Sequence, residues 1–191
     1  MILIIEQTFT VAAPREKVAA FLLSADSMLY CVPGVEEVSA TDTGTYKATL
    51  KAKVGPIRAS FTGEVSIDGS ESPDRIRASG EGRDRATGTV ASVVLDAQLS
   101  ETEPGVTTVT STSDVALRGR LGQFGTGVIQ SIAGEMIGQF ASCVESRVTG
   151  SELNATPQGV SSPNLASAAM RGVAKGAAAK LRGSRRGEGE Q

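Results

Sequence analysis

Between Tyr46 and Ile67 apolar and polar residues alternate almost without error. Tyr46, Ala48, Leu50, Ala52 and Val54, then Ile57, Ala59, Phe61, Gly63, Val65 and Ile67, fall on one face. Lys47, Thr49, Lys51, Lys53, Arg58, Ser60, Thr62, Glu64 and Ser66 fall on the other. A period of two with one wet face is the mark of an antiparallel sheet, here two strands joined at Gly55-Pro56. The same signal, broken by Gly, Pro and Asp turns, predicts strands over 2–11, 35–42, 45–54, 57–68, 74–83, 87–101 and 106–117. In the first, Leu3, Ile5, Phe9 and Val11 are the inward positions.

After Leu117 the period changes. Phe124, Val128, Ile132, Met136, Phe140, Val144 and Val148 recur every four residues, flanked by Ile129, Ile137 and Ala141, and predict one long helix over 119–149. Two short helical pieces follow the first strand, one begun by Pro14 and one capped by Asp26 and ended by Pro33-Gly34. Strand, two short helices, six strands and a long helix make an α+β protein. A curved seven-stranded antiparallel sheet wraps a long C-terminal helix, the helix-grip architecture.

The inward row is too small to fill a core. Ala48, Ala59 and Gly63 alternate with Tyr46, Leu50 and Phe61, while Ala78 and Gly80 continue the row on the next strand and Val109 and Ser111 on the last. The chain has only five Phe, two Tyr and no Trp to meet them. Interiors pack densely, so small residues on a concave face imply an internal hydrophobic cavity. Phe21, Met28 and Leu29 from the short helices, and Phe124, Val128, Ile132 and Met136 from the long one, are expected to complete its lining. The glycines at 122, 125, 127, 134 and 138 weaken the helix and are expected to let sheet backbone or ligand approach.

Composition narrows the chemistry. There is no His, which removes Ser-His-Asp and Cys-His catalysis, and with only Cys31 and Cys143 no metal site is expected. Two lone thiols suggest a reducing compartment and no disulfide framework. Glu36-Glu37 on one strand point to opposite faces, and Glu101 and Glu103 are the other carboxylate pair; neither is expected to be catalytic. Gly122 to Gly127 lacks the Lys-Ser/Thr of a phosphate loop, and close packing is the preferred reading. Arg75, Arg77, Arg83 and Arg85 are expected to form a solvated basic face.

Residues 1–150 carry 13 basic and 18 acidic side chains, whereas 151–191 carry six basic and three acidic ones. That distribution does not fit a nucleic-acid binder. No stretch approaches the roughly 20 apolar residues needed to span a bilayer, and the first residues do not read as a signal peptide. We divide the chain into a folded domain at 1–150, a flexible linker at 151–164, a basic amphipathic segment at 165–183 and a disordered end at 184–191. In the third, Leu165, Met170, Val173 and Leu181 share one half of the helical wheel, while Arg171, Lys175 and Arg182 occupy the other and Lys180 snorkels. Such a segment is expected to lie weakly and reversibly on anionic membrane.

Cys31-Val-Pro33-Gly34-Val35, Lys53-Val-Gly55-Pro56-Ile57 with Phe61-Thr-Gly63, and Gly119-Arg120-Leu-Gly-Gln-Phe-Gly125 together resemble CoxG, the G subunit of carbon monoxide dehydrogenase. That family belongs to the START-like helix-grip superfamily, and the resemblance runs over about residues 2–148. It implies a non-catalytic accessory of molybdenum-containing CO dehydrogenase, or of a related hydroxylase, that places the enzyme at the membrane. Joined to the small inner row, it suggests a cavity for the apolar tail of a respiratory quinone (menaquinone or ubiquinone) or another isoprenoid lipid. The expected location is cytoplasmic, peripheral to the inner face of the cell membrane. No covalent or metal cofactor is expected. A membrane anchor or assembly factor with no physiological ligand is the competing reading, and a cyclase or hydrolase on the same fold is disfavoured by the missing His.

Overall fold

In a computed structural model the described residues are 1–150, with the side chains of residues 70 and 71 left aside. The seven strands are β1 (Ile2–Val11), β2 (Val35–Asp42), β3 (Thr45–Val54), β4 (Ile57–Ser72), β5 (Arg75–Asp84), β6 (Thr89–Glu103) and β7 (Val106–Arg118). They form one antiparallel sheet in the order β1-β7-β6-β5-β4-β3-β2. Between β1 and β2 lie α1 (Arg15–Leu23), α2 (Ala25–Met28) and a 3-10 turn, η1 (Leu29–Cys31). A second 3-10 turn, η2 (Arg120–Gln123), leads to α3 (Thr126–Thr149). The fold is the START-like helix-grip fold that the alternation and the resemblance imply. The strand ends differ from expectation by a few residues, most at β4, which runs through the Asp68-Gly69 turn signal. An irregularity in the β4–β5 pairing between Asp68 and Ser72 absorbs the extra residues.

The long helix starts later than the sequence predicts. Gly119 has φ +90, and a Cβ there would overlap the Gly88 carbonyl oxygen. The chain therefore turns at that point instead of coiling. Phe124 and Gly125 are extended, and the α-helix runs for 24 residues from Thr126 until Gly150 ends it at φ +71. The buried Thr89 hydroxyl accepts a hydrogen bond from the Leu121 N–H at 3.3 Å, which fixes the start of this segment against the sheet.

Apolar side chains gather in three clusters rather than one. Val11, Val18, Leu22, Ile76, Ala97, Leu99, Val109 and Val144 form the first, where α1 and the end of α3 close the sheet. Val54, Ala59, Phe61, Leu121 and Ile132 form the second, under the start of α3 at β3 and β4. Leu3, Ile5, Leu117 and Ile129 form the third, at β1 and β7.

A disulfide joins Cys31 on η1 to Cys143 on α3, with Cα atoms 5.5 Å apart. This corrects the expectation of two lone thiols. The residues are 112 positions apart in sequence, and only the return of α3 over η1 brings them together. Disulfides persist in oxidising surroundings, so the bond also removes the ground on which a reducing compartment was expected.

Candidate functional site

Pairing registers place the inward residues in rows across the sheet. One row runs Tyr46, Val65, Gly80, Val93, Val115 and Leu3; the next on one side runs Ala48, Gly63, Gly82, Ala91 and Leu117. On the other side Ile67, Ala78, Leu95, Ser113 and Ile5 are aligned, followed by Ile76, Ala97, Ser111 and Gln7. Set against the clusters, these rows expose a gap. Of the apolar side chains in these rows Tyr46, Ala48, Val65, Ala78 and Val93 belong to none of the three, and Gly63, Gly80, Gly82, Ser111, Ser113 and Gln7 add no apolar bulk beside them. They form a continuous band across the sheet from β3 to β1, between the first cluster and the other two.

Helix α3 bridges that band. Its buried side chains are Ile129 and Ile132 near one end and Val144 near the other. Met136 and Phe140, which lie between them, are half-buried. Val93 is 36% exposed, although it sits on the inner face of a central strand. Cores at native density do not leave a central valine so open. Midway along the helix Met136 packs on the second cluster and Phe140 on the first, the Phe140 ring edge-on to Phe9 at 6.1 Å.

The small residues of the band are small for different reasons. A Cβ on Gly63 would overlap the Glu81 carbonyl oxygen, so this position is fixed by the close approach of β5. A Cβ on Gly80 would meet only ordinary contacts, at 3.5 Å from the Val65 and Val93 side chains and the Glu64 carbonyl oxygen. The space above Gly80 is real room, whereas Gly63 serves the backbone.

The expected cavity residues therefore divide. Tyr46, Ala48, Gly63, Ala78, Gly80 and Ser111 line the band. Leu50, Met136 and Phe124 are half-buried at the margin of the clusters beside it, and Phe21 and Met28 pack on the first cluster. Leu29, Ala59, Phe61, Val109 and Ile132 are buried, all but Leu29 within the clusters themselves. Val128 is a correction: it is 44% exposed, and Ile129 takes the inward position. Phe124 is extended and α3 begins only at Thr126, so the four-residue spacing from Phe124 to Val128 is not helical and does not put them on one face. For the glycines of α3 the expected approach of sheet backbone is also corrected, since a Cβ at Gly127, Gly134 or Gly138 would meet nothing within 4 Å. Gly122, under the Leu117 carbonyl oxygen at 2.6 Å, is the one that packs closely. Leu165 through Arg182 and the linker lie outside the described residues.

On the opposite, outer face a groove of about 240 Å³ is lined by Glu81, Arg83, Val90, Ser92, Ala116 and Arg118. It is a trough between outward side chains of β5, β6 and β7, half of them charged. The apolar band suits a hydrophobic ligand better. Elsewhere on that face Arg75 and Arg77 bind Asp96 at 2.7 and 3.1 Å, a strand-to-strand ion-pair network. The Arg75 hydrogen bond, outweighing the burial that acts against it, holds the Asp96 carboxyl below its ordinary pKa. Glu36 pairs with Lys51 at 2.8 Å, and Glu101 accepts the Gly105 N–H in a turn. Among the described residues no cluster of His, Cys, Asp and Glu could hold a metal ion, and no helix is long and apolar enough to cross a membrane.

The family model for CoxG, the G subunit of carbon monoxide dehydrogenase, matches residues 8–149, which include nearly all of the band. The chain belongs to the CoxG family. Among solved structures, this CoxG-family chain is similar to a conserved protein from Geobacillus kaustophilus (15% identity, 78% of this chain and 97% of that one, TM-score 0.72). It is also similar to the Zhui aromatase/cyclase from a Streptomyces species (16%, 78% and 94%, 0.58). A START superfamily protein from Mycobacterium smegmatis is a third (12%, 77% and 97%, 0.55). At these identities the likeness shows the fold alone. No curated protein matches the sequence. The segments that carried the family resemblance hold the CoxG frame together. Pro33 is fully buried, the Gly34 carbonyl accepts the Lys51 N–H at 2.8 Å, and Gly119 makes the turn before α3.

Proposed function

We propose that this CoxG-family protein is a non-catalytic accessory of molybdenum CO dehydrogenase, or a related hydroxylase, and holds a hydrophobic ligand in the band beneath α3. The observation that supports this most directly is Val93, 36% exposed on the inner face of a central strand opposite Gly80. A respiratory quinone such as menaquinone is the ligand we favour. Its isoprenoid tail matches an apolar trough, and each buried methylene contributes about 0.8 kcal/mol. The redox chemistry would then be that of the quinone and the partner enzyme, the protein supplying burial and orientation. The basic segment at 165–183 would bring the carrier to the membrane surface, where the ligand is loaded and released.

The test is direct. Protein purified from native membranes without harsh detergent, then extracted and analysed by mass spectrometry, should carry quinone in near-stoichiometric amount. Preparations that never contain quinone, and that bind none when it is added, would leave the anchor or assembly reading. That second reading has one observation in its favour: Gly63, the smallest residue of the inward row, is small for the sake of the neighbouring strand.

A further inference from the structure

The α2–η1 segment is tied down unevenly. Between the buried Leu22 and Pro33, only Ala25, Leu29 and Cys31 are buried, while Leu23 and Tyr30 stand exposed. Neither α2 nor η1 has a side-chain cap. Among the described residues, the backbone hydrogen bonds of residues 24–33 stay within 21–35. The first bond to the sheet comes at Gly34, whose carbonyl accepts the Lys51 N–H at 2.8 Å. Short uncapped turns with only local hydrogen bonds open easily.

Apolar packing and one covalent bond hold this stretch to the rest of the domain. The Cys31–Cys143 disulfide crosses from the three-residue η1 to the 24-residue α3, where the adjacent Val144 is fully buried in the first cluster. One end of the bond is anchored and the other is the anchor. The sulfurs also differ in access. Cys31 is 2% exposed, whereas Cys143 is half-buried. Arg147, exposed one turn further along α3, is a cation that favours the approach of an anionic thiolate to Cys143.

We propose that Cys31–Cys143 is a redox latch. Oxidised, it holds the α2–η1 segment against α3; reduced by a dithiol donor of the thioredoxin kind, it frees that segment while the sheet stays folded. A donor thiolate attacks the Cys143 Sγ, the S–S bond breaks, and Cys31 leaves as a thiolate and takes up a proton. The donor's second thiol then attacks the mixed disulfide, which releases Cys143 as a thiol and closes the donor's own disulfide, so two electrons pass to the protein. Free cysteines pack as small apolar side chains, so the first cluster survives reduction. The latch goes beyond the ligand reading and is visible in the empty protein.

Hydrogen exchange read by mass spectrometry tests it on the full chain, oxidised and then treated with dithiothreitol under native conditions. Reduction, read by alkylation of the freed thiols, should proceed at a rate proportional to dithiothreitol concentration. Amide protection over residues 24–32 should then fall about tenfold or more at short exchange times, while β5, β6 and β7 keep theirs at those times. The Cys31→Ala, Cys143→Ala variant should show the reduced pattern with or without dithiothreitol; if it does not fold, the comparison within wild type decides. A reduction rate independent of dithiothreitol concentration, set by global unfolding, would overturn the latch. So would unchanged protection over 24–32 with losses only at the slowest amides of the sheet, the pattern of a staple that acts on the unfolded chain.

Discussion

Single residues decide what is frame and what is site. Gly63 and Gly80 look alike in sequence, two small inward positions on neighbouring strands. Parity alone could not separate them, because what distinguishes them is the approach of another strand's backbone. Gly63→Ala should destabilise the protein by several kcal/mol, since its Cβ would overlap the Glu81 carbonyl. Gly80→Leu should leave the urea midpoint within about 1 kcal/mol of wild type while abolishing ligand binding. Retained ligand in a folded Gly80→Leu protein would show that the band is not the site. Asp84 is a frame residue of another kind. Burial pushes its carboxyl up, but hydrogen bonds from the Thr87 hydroxyl and the Thr87, Ser60 and Ala86 N–H groups outweigh it and hold the pKa below the ordinary value. A depressed folded-state pKa contributes stability that is complete above the unfolded value of about 3.9 and is lost as pH falls through the folded one. Asp84→Asn should therefore lower stability at pH 7 and flatten its decline below about pH 4, measured by urea unfolding. An unchanged acid limb would remove Asp84 from that role.

At the scale of elements, the strands were legible because their signal is local. Alternation within each strand and a turn residue after it set the boundaries to within a few positions. The helix was legible in its existence and end but not in its start, since the bar to coiling at Gly119 is contact with Gly88, a residue on the far side of two strands. The disulfide could not be read at all, because two cysteines 112 positions apart carry no local pattern. Cross-linking so long a loop removes chain entropy worth about 4–5 kcal/mol in the unfolded state, in the simplest treatment. Cys143→Ala should cost about 2–5 kcal/mol in urea unfolding, and a thiol reductant should shift wild type by a similar amount. Coincident curves with and without reductant would mean that the bond contributes nothing to the folded state.

For the whole molecule, the architecture and the family followed from patterns spread over most of the chain, whereas the ligand rests on a gap that only pairing registers reveal. The separation of an acidic domain from a basic extension is visible in sequence and carries its own prediction. Removal of residues 151–191 should leave the melting temperature of the domain unchanged and abolish sedimentation with anionic vesicles. Sedimentation equal to that of the full chain would place membrane binding on the domain instead.

The exposed Val93 on the inner face of the sheet has a consequence for the lifetime of the protein. Under the proposed function a ligand in the band would add RT ln(1 + [L]/Kd) to the stability of the fold. The empty protein would then open more often and meet proteases more often than the loaded one. Turnover in the cell would then track supply: where the ligand is scarce, the carrier is the first thing to disappear. Limited proteolysis with and without menaquinone-4 measures that difference.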